Sequence, residues 1–352
     1  MYIEKILLSN FRNLENKEYE FSKNFNLIYG KNAQGKTSLI ESVYFLASGK
    51  SFRTRKVIEQ IKNKETEAIV FGIKDGEKYS IRLNKEKREF YKNGEKIQYK
   101  EYLGNILAIS FSPEDVELIA GSPDVRRRVF NYEISQVDAN YLKLLLDFQK
   151  ILKIRNKLIK ENNMNSEIFL VYTEKFIDLS VELMVIKYRY IKELSKIVNE
   201  IYQNLFLGEK SVEIVYNSFM AFIEDKNEMK KFFKNYLLQR EEKERIYGYS
   251  ISGPQKDDFS ILLDNKLSKS YASTGEKKSI LLAIKLAQGE YIKRKYNKKA
   301  IYLFDDISAY FDEFRKYSVL DYLNKENTQC FFTSTEKIDV KNAKYIILDR
   351  DI

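Results

Sequence analysis

The chain has 352 residues, with 61 Lys and Arg against 51 Asp and Glu (formal net charge +10), no His, no Trp, one Cys and three Pro. That length is enough for two domains and a core that needs no disulfide or metal staple. Without His there is no Ser-His-Asp or Cys-His triad and no His-ligated zinc, and the lone Cys330 excludes an internal disulfide and suits a reducing cytosol.

In chain order, the start MYIEKILLSNFRNLENKEYEF alternates like a strand rather than reading as a signal peptide. Strands are expected at Ile3–Leu8, Asn26–Tyr29, Ala68–Ile73, Lys78–Leu83, Glu89–Lys92 and Ile106–Phe111, with Asn93-Gly94 as a hairpin turn. From Asp124 to Leu207 there is neither Gly nor Pro, and apolar residues recur at helical spacing. Helices are expected over about Val137–Glu161, Ile168–Leu205 and Lys226–Glu244. Strands return at Phe259–Leu263, Ala300–Phe304, Cys330–Thr333 and Tyr345–Leu348, with a helix over about Thr274–Lys293. No apolar run approaches the ~18–20 residues of a membrane span. The reading is an α/β head built from both ends of the chain, residues 1–110 and 246–352, with a helical lobe inserted at 111–245.

Gly30-Lys31-Asn32-Ala33-Gln34-Gly35-Lys36-Thr37 is a complete phosphate-binding loop, preceded by an apolar strand and followed by an amphipathic helix. The glycines let successive N–H groups turn inward as an anion nest, and the helix N-terminus adds partial positive charge. Lys36 is expected on the β- and γ-phosphates of ATP and the Thr37 hydroxyl on Mg²⁺. Far along the chain, the apolar run Ile301–Phe304 ends in Asp305-Asp306. Asp305 is expected to hold Mg²⁺ through water, and Asp306 to polarise the attacking water. Between them Ser273-Thr274-Gly275 opens a helix, which as an isolated feature is an ordinary N-cap. The order of loop, long insertion, Ser-x-Gly helix and acidic strand resembles that of ABC-type ATPase heads, with an ABC-type fold of P-loop and mixed sheets. In that class Ser273 and Gly275 of one subunit would close over nucleotide held by another.

The resemblance sharpens over the whole chain. Leu8-Ser9-Asn10-Phe11-Arg12-Asn13 precedes the loop, and Gly49-Lys50-Ser51-Phe52-Arg53-Thr54 follows its helix. Then come Phe111-Ser112-Pro113-Glu114-Asp115, Gly121-Ser122-Pro123, Arg126-Arg127-Arg128, Arg155-Asn156, Gly253-Pro254 and Asp257-Asp258. Together these blocks resemble the bacterial RecF family. Three positions depart from its pattern: Gln255 stands in a His place, Glu276 in a Gln place, and Tyr310-Phe311-Asp312 where Glu-Leu-Asp is usual.

The resemblance implies a cytoplasmic ATPase whose ATP-driven homodimer clamps DNA. With RecO and RecR it would help load RecA, in gap repair, replication restart and SOS induction. Slow hydrolysis would act as the release switch. A DNA-binding scaffold that binds ATP but hardly hydrolyses it is the alternative, favoured by Glu276. A transporter's nucleotide subunit is disfavoured by the basic charge, the absent His and the central helical insertion. The basic surplus fits DNA, or else a Lys-rich solvated surface. Candidate phosphate contacts are Arg53, Arg55, Arg126, Arg127 and Arg128, with Lys50, Lys56 and the run Lys150–Lys160 behind them. Arg53 is as well placed for the nucleotide. No aromatic platform for single strands is evident, so binding is expected to be backbone-led and duplex-biased. Thr333-Ser334-Thr335 ends a strand where transporter heads carry a His, and is a candidate γ-phosphate contact.

Overall fold

Period-two alternation in the first hundred residues becomes an antiparallel sheet. The computed structural model describes residues 1–14, 16–54, 56–206, 209–306, 313–340 and 342–348, and only the backbone of 313–315. The strands are β1 (Ile3–Ser9), β2 (Glu18–Glu20), β3 (Phe25–Tyr29), then, after helix α1 (Lys36–Ser48), β4 (Glu67–Lys74), β5 (Glu77–Asn84), β6 (Arg88–Lys92) and β7 (Glu95–Ile97). All but β3 form one sheet, ordered β2-β1-β4-β5-β6-β7. Its register puts Leu8, Val70, Ile81 and Phe90 in one cross-strand row, and all four are buried. Asn93 and Gly94 both take positive φ, as a two-residue hairpin turn of type I′ requires.

A one-turn α2 (Tyr99–Tyr102), β8 (Ala108–Phe111) and a one-turn α3 (Glu117–Ala120) follow. Then come α4 (Pro123–Val137), α5 (Ala139–Lys160), α6 (Glu167–Phe206), β9 (Val212–Asn217), α7 (Lys226–Leu238), α8 (Glu241–Tyr247), β10 (Asp258–Leu263), β11 (Lys266–Leu267) and a one-turn α9 (Ser268–Tyr271). The chain closes with α10 (Thr274–Tyr296), β12 (Ile301–Phe304), α11 (Glu313–Glu326), β13 (Cys330–Ser334) and β14 (Lys344–Ile347). A second sheet, β14-β3-β13-β12-β8, is parallel throughout. Every residue of β8, β12 and β13 is buried, as expected of parallel strands covered on both faces.

Helix α1 touches strands of both sheets and is buried over eleven of its thirteen residues. Its approach depends on Gly72 in β4, where a Cβ would lie 2.4 Å from Leu46 of α1. Gly289 does the same for α10, since a Cβ there would meet the Tyr302 hydroxyl at 1.8 Å.

Two compact units result: Met1–Glu117 with Ile197–Glu209 and Ser273–Ile352, and Leu118–Lys196 with Lys210–Ala272. The sequence placed residues 246–272 in the head, but β10 pairs antiparallel with β9 along its whole length, so this stretch belongs to the second unit. That unit is therefore not purely helical, and β9 was not anticipated. The helix expected over Val137–Glu161 is α5; α4 lies ahead of it and ends at Val137, and between the two the Asp138 carboxylate accepts the Tyr141 N–H and caps α5. The helix expected over 226–244 divides into α7 and α8. No helix among the described residues is long and apolar enough to cross a membrane.

Candidate nucleotide-binding site

The carboxyl ends of β3, β13 and β12 are neighbours in the parallel sheet, the usual location of ligands in open α/β sheets. After β3 the chain turns at Gly30 (φ 152°), passes Ala33 (φ 66°) and enters α1 from Gly35 (φ 98°). Two of these geometries exclude side chains. A Cβ at Gly30 would sit 2.2 Å from the Leu348 carbonyl oxygen, and one at Gly35 would sit 2.8 Å from Leu14. No side chain caps α1, so its first N–H groups are left for an anion.

Lys36 folds over this loop, its Nζ donating to the carbonyls of Gly30 (2.6 Å) and Lys31 (2.7 Å). Burial lowers its pKa, and Asp306 and Asp305 act in the other direction. Thr37 and Thr333 both donate to one oxygen of Asp305, at 3.0 and 2.7 Å. The Asp306 N–H donates to the Thr333 hydroxyl (2.7 Å), and the Asp305 N–H to the Phe111 carbonyl (2.8 Å). Asp306 takes φ 54°, turning the chain out of β12. Burial raises the Asp305 pKa; the two hydroxyls and Arg53 partly offset it.

These groups line a cleft of about 850 Å³, together with Asn32, Ala33, Gly35, Asp306, Ser334 and Thr335. The sequence-derived loop, the Asp-Asp pair and the Thr-Ser-Thr strand end thus converge. Ser273 and Gly275 stand outside the residues lining the cleft, at the start of α10. There Ser273 accepts the Glu276 N–H and the Glu276 carboxylate accepts the Ser273 N–H, a reciprocal capping box. The signal S-x-x-E was present in the sequence and accounts for the acid at this position.

Among the cleft residues not anticipated as site residues are Arg12, Lys62 and Asn63. Main-chain bonds bring their two segments together, Arg12 N–H to the Gln60 carbonyl and Lys62 N–H to the Asn10 carbonyl. Such pairing of distant loops carries no local sequence signal.

The expected DNA contacts divide differently. Arg53 lines the cleft. Arg126 is a correction: it is buried, with both ends of its guanidinium on Asp258 (2.7 and 3.0 Å) and a further bond to the Gly121 carbonyl. Arg127 is another, held by Asp124 and the Asp257 carbonyl. Arg128 is exposed. Arg155, in the basic run of α5, is 1% exposed and bonds Glu244, Ser250 and Thr173 between the rings of Phe169 and Phe176. Asn156 accepts from the Ser250 amide and hydroxyl. The Arg-Asn and Gly-Pro-x-x-Asp-Asp blocks therefore serve the packing of the second unit. Gln255, in its His place, donates to the Ser252 carbonyl (2.9 Å) and closes that loop. Arg55 and Tyr310-Phe311-Asp312 lie outside the described residues.

A family model for the RecF/RecN/SMC N-terminal domain matches residues 2–348. A DNA replication and repair protein RecF of Thermoanaerobacter sp. (strain X514) is 32% identical, covering all of this chain and 99% of its own. That of Acetivibrio thermocellus is 33% identical over 98% and 96% of the two chains. A solved structure of the recombination mediator protein RecF with ATP, in the RecFOR pathway, superposes with a TM-score of 0.91 at 31% identity, over 98% of this chain and 95% of that one. The Smc head domain of Pyrococcus furiosus shares the fold at 19% identity, over 95% and 90% of the two chains, with a TM-score of 0.52. With this match from end to end, and a phosphate loop and acidic strand meeting in one cleft, the chain belongs to the RecF family of ABC- and SMC-type ATPase heads.

Proposed function

We propose that the protein binds ATP with Mg²⁺ in this cleft and uses it as a switch for dimerisation on DNA. The observation that carries the reading is the meeting of Lys36, Thr37, Asp305 and Thr333 at the carboxyl ends of adjacent strands. Backbone N–H groups of residues 30–37 would cradle the phosphates, with Lys36 leaving the Gly30 and Lys31 carbonyls for the β- and γ-oxygens. The donor set suits Mg²⁺: two hard oxygens, of Thr37 and Asp305, lie 3.0 Å apart. The Thr37 hydroxyl would bind the cation and Asp305 would hold it through water. Among the described residues no cluster of three or more His, Cys, Asp or Glu could hold a cation unaided, so phosphate oxygens would complete the shell. When bound, the cation would neutralise charge developing on the β- and γ-phosphates.

Asp306, at the cleft surface beside the metal carboxylate, would orient and polarise the attacking water. Thr333, Ser334 and Thr335 supply hydroxyls and backbone groups towards the γ-phosphate where a His is lacking. Ser273 and Gly275, outside the cleft of their own chain, would meet the nucleotide of a second copy. ATP binding then favours the dimer by mass action, and slow hydrolysis releases it. DNA is held through its backbone by exposed cations, of which Arg128 is one, and RecO- and RecR-type partners act with the dimer on gapped DNA in the cytoplasm. The scaffold alternative drew on Glu276; with that carboxylate turned onto the Ser273 amide, the acid no longer favours it.

The test is solution mass against ATP and Mg²⁺, with and without duplex DNA, for the wild type and Lys36→Ala. A shift from monomer to dimer that DNA strengthens and Lys36→Ala abolishes is expected. A mass that ignores nucleotide while DNA still binds would overturn the switch.

A further inference from the structure

The helix that carries the phosphate loop also carries a fully buried carboxylate, Glu41, 0% exposed, five residues past Lys36. An isolated charge in such a place would cost several kcal/mol, so its partners define its role. Arg12 binds it with both ends of its guanidinium, Nη2 to Oε1 at 2.6 Å and Nε to Oε2 at 2.9 Å. The Ser51 hydroxyl donates to Oε1 at 2.5 Å. Arg53 reaches Oε2 by a single contact of 3.5 Å.

The two arginines are held very differently. Arg12 is 14% exposed and is tied down again by the Glu59 carbonyl. Arg53 is 42% exposed, and its charge favours the ionised form of Asp305. Both line the nucleotide cleft. Ser51 also accepts the N–H groups of Arg53 and Thr54, so the residue that bonds Glu41 also shapes the turn that presents Arg53.

We infer that Glu41 is a positioning residue that stores Arg53 at the rim of the cleft as an exchangeable ligand for the phosphate chain, while Arg12 and Ser51 keep Glu41 satisfied when Arg53 leaves. The inference rests on ATP being the ligand of this cleft. The exchange is inexpensive because the bond surrendered is long and half exposed, whereas phosphate offers a charge-assisted, two-pronged replacement. No buried charge is orphaned, since Arg12 retains its two bonds to Glu41. Arg53 thus acts on the nucleotide and not on DNA.

The test is a double-mutant cycle on ATP affinity in the presence of Mg²⁺, read by calorimetry for the wild type, Glu41→Gln, Arg53→Ala and the double variant. Arg53→Ala, at a half-exposed side chain, should lower affinity about ten-fold, one charge-assisted contact's worth. Glu41→Gln should raise it by a few-fold in the wild type, because the contact surrendered on binding is then missing from the ATP-free protein, and have no effect once Arg53 is absent. An unchanged affinity for Arg53→Ala overturns the inference, and so does an equal Glu41→Gln effect in both backgrounds. If the wild type binds no ATP, it is the nucleotide reading itself that has failed.

Discussion

Thr333→Val tests the wiring of the acidic strand with nearly no change of shape. The Thr333 hydroxyl is buried, donates to the Asp305 carboxylate at 2.7 Å and accepts the Asp306 N–H at 2.7 Å. A hydrogen bond to a charged group contributes about 1.5–3 kcal/mol, and a buried N–H left without a partner costs about 1–3 kcal/mol. The added methyl returns ~1 kcal/mol, so about 3 kcal/mol should be lost. By scanning calorimetry that is a fall of about 6–12 °C in the melting of the unit that carries the site, at 2–4 °C per kcal/mol. The loss should also depend on pH, in a definite direction. Burial already raises the Asp305 pKa above its ordinary value, so its ionisation withdraws stability as pH climbs through the folded-state pKa. Removing a hydroxyl that favours the charged form raises that pKa again. The penalty should therefore grow from pH 4 to pH 8, by about 1–2 kcal/mol, the difference between a charged and a neutral hydrogen bond. A loss below ~0.5 kcal/mol, or one constant across that range, would refute the assignment of this hydroxyl as the support of Asp305.

Gly289→Ala should destabilise by about 1–3 kcal/mol through overpacking, despite alanine's better helix propensity. Tyr302→Phe should restore part of it, because the Tyr302 hydroxyl is the first atom a Cβ would meet and the ring carbon behind it, at 2.7 Å, is the next; melting curves of the two single variants and the double decide it. Lys187, fully buried and bonded to the Pro254 carbonyl beside Asp257, has its pKa brought down by burial to about 8. A lysine whose folded pKa is depressed leaves the unfolded chain holding more protons between about pH 8 and 10, so stability should rise there, by ~1–2 kcal/mol. Urea titrations should show that rise as the difference between the wild type and Lys187→Met, because Cys330, Tyr216 and Tyr141, whose pKa values burial raises, withdraw stability from both proteins as pH climbs. Ser273→Ala removes the reciprocal cap of α10 and should cost about 1 kcal/mol in the ATP-free protein. The same substitution should abolish nucleotide-driven dimerisation, a loss far larger than a cap can explain, and sedimentation of the folded variant separates the two effects.

Much of the head was legible because its determinants are local. Gly30–Thr37 must turn at positive φ, so glycine and loop spacing announce it. The apolar runs of β8, β12 and β13 announce a buried parallel sheet, and Asn93-Gly94 announces its hairpin. What escaped depends on pairing between distant segments. β9 is short, carries Glu213 at its second position and gains its identity only from β10 more than forty residues later. The expected helix start at Val137 overlaps the last residue of α4, since a capping aspartate and a helical one look alike until the break at Asp138 is seen. Arg12 enters the cleft because its backbone pairs with residue 60, and Glu41 reads in sequence as an ordinary polar position on an amphipathic helix.

The basic residues show why charge was the least reliable guide. A cation near a helix start is unfavourable without an anion, and that argument pointed to an external phosphate for Arg126–Arg128. The anions are instead internal: Asp258 takes Arg126 with two bonds, and Asp124 with the Asp257 carbonyl takes Arg127. The same holds for Arg155, whose charge is met by Glu244 within the core of the second unit. A run of like charges in a sequence is thus a statement about the whole fold's supply of carboxylates, not about its surface. Subtracting these internally paired arginines leaves a weaker, more dispersed set of exposed cations for DNA. Binding through such a set should be low in sequence preference and lost steeply with salt, with no single substitution dominant. A substitution at Arg126 or Arg127 should, by contrast, weaken DNA binding only to the extent that it unfolds the second unit.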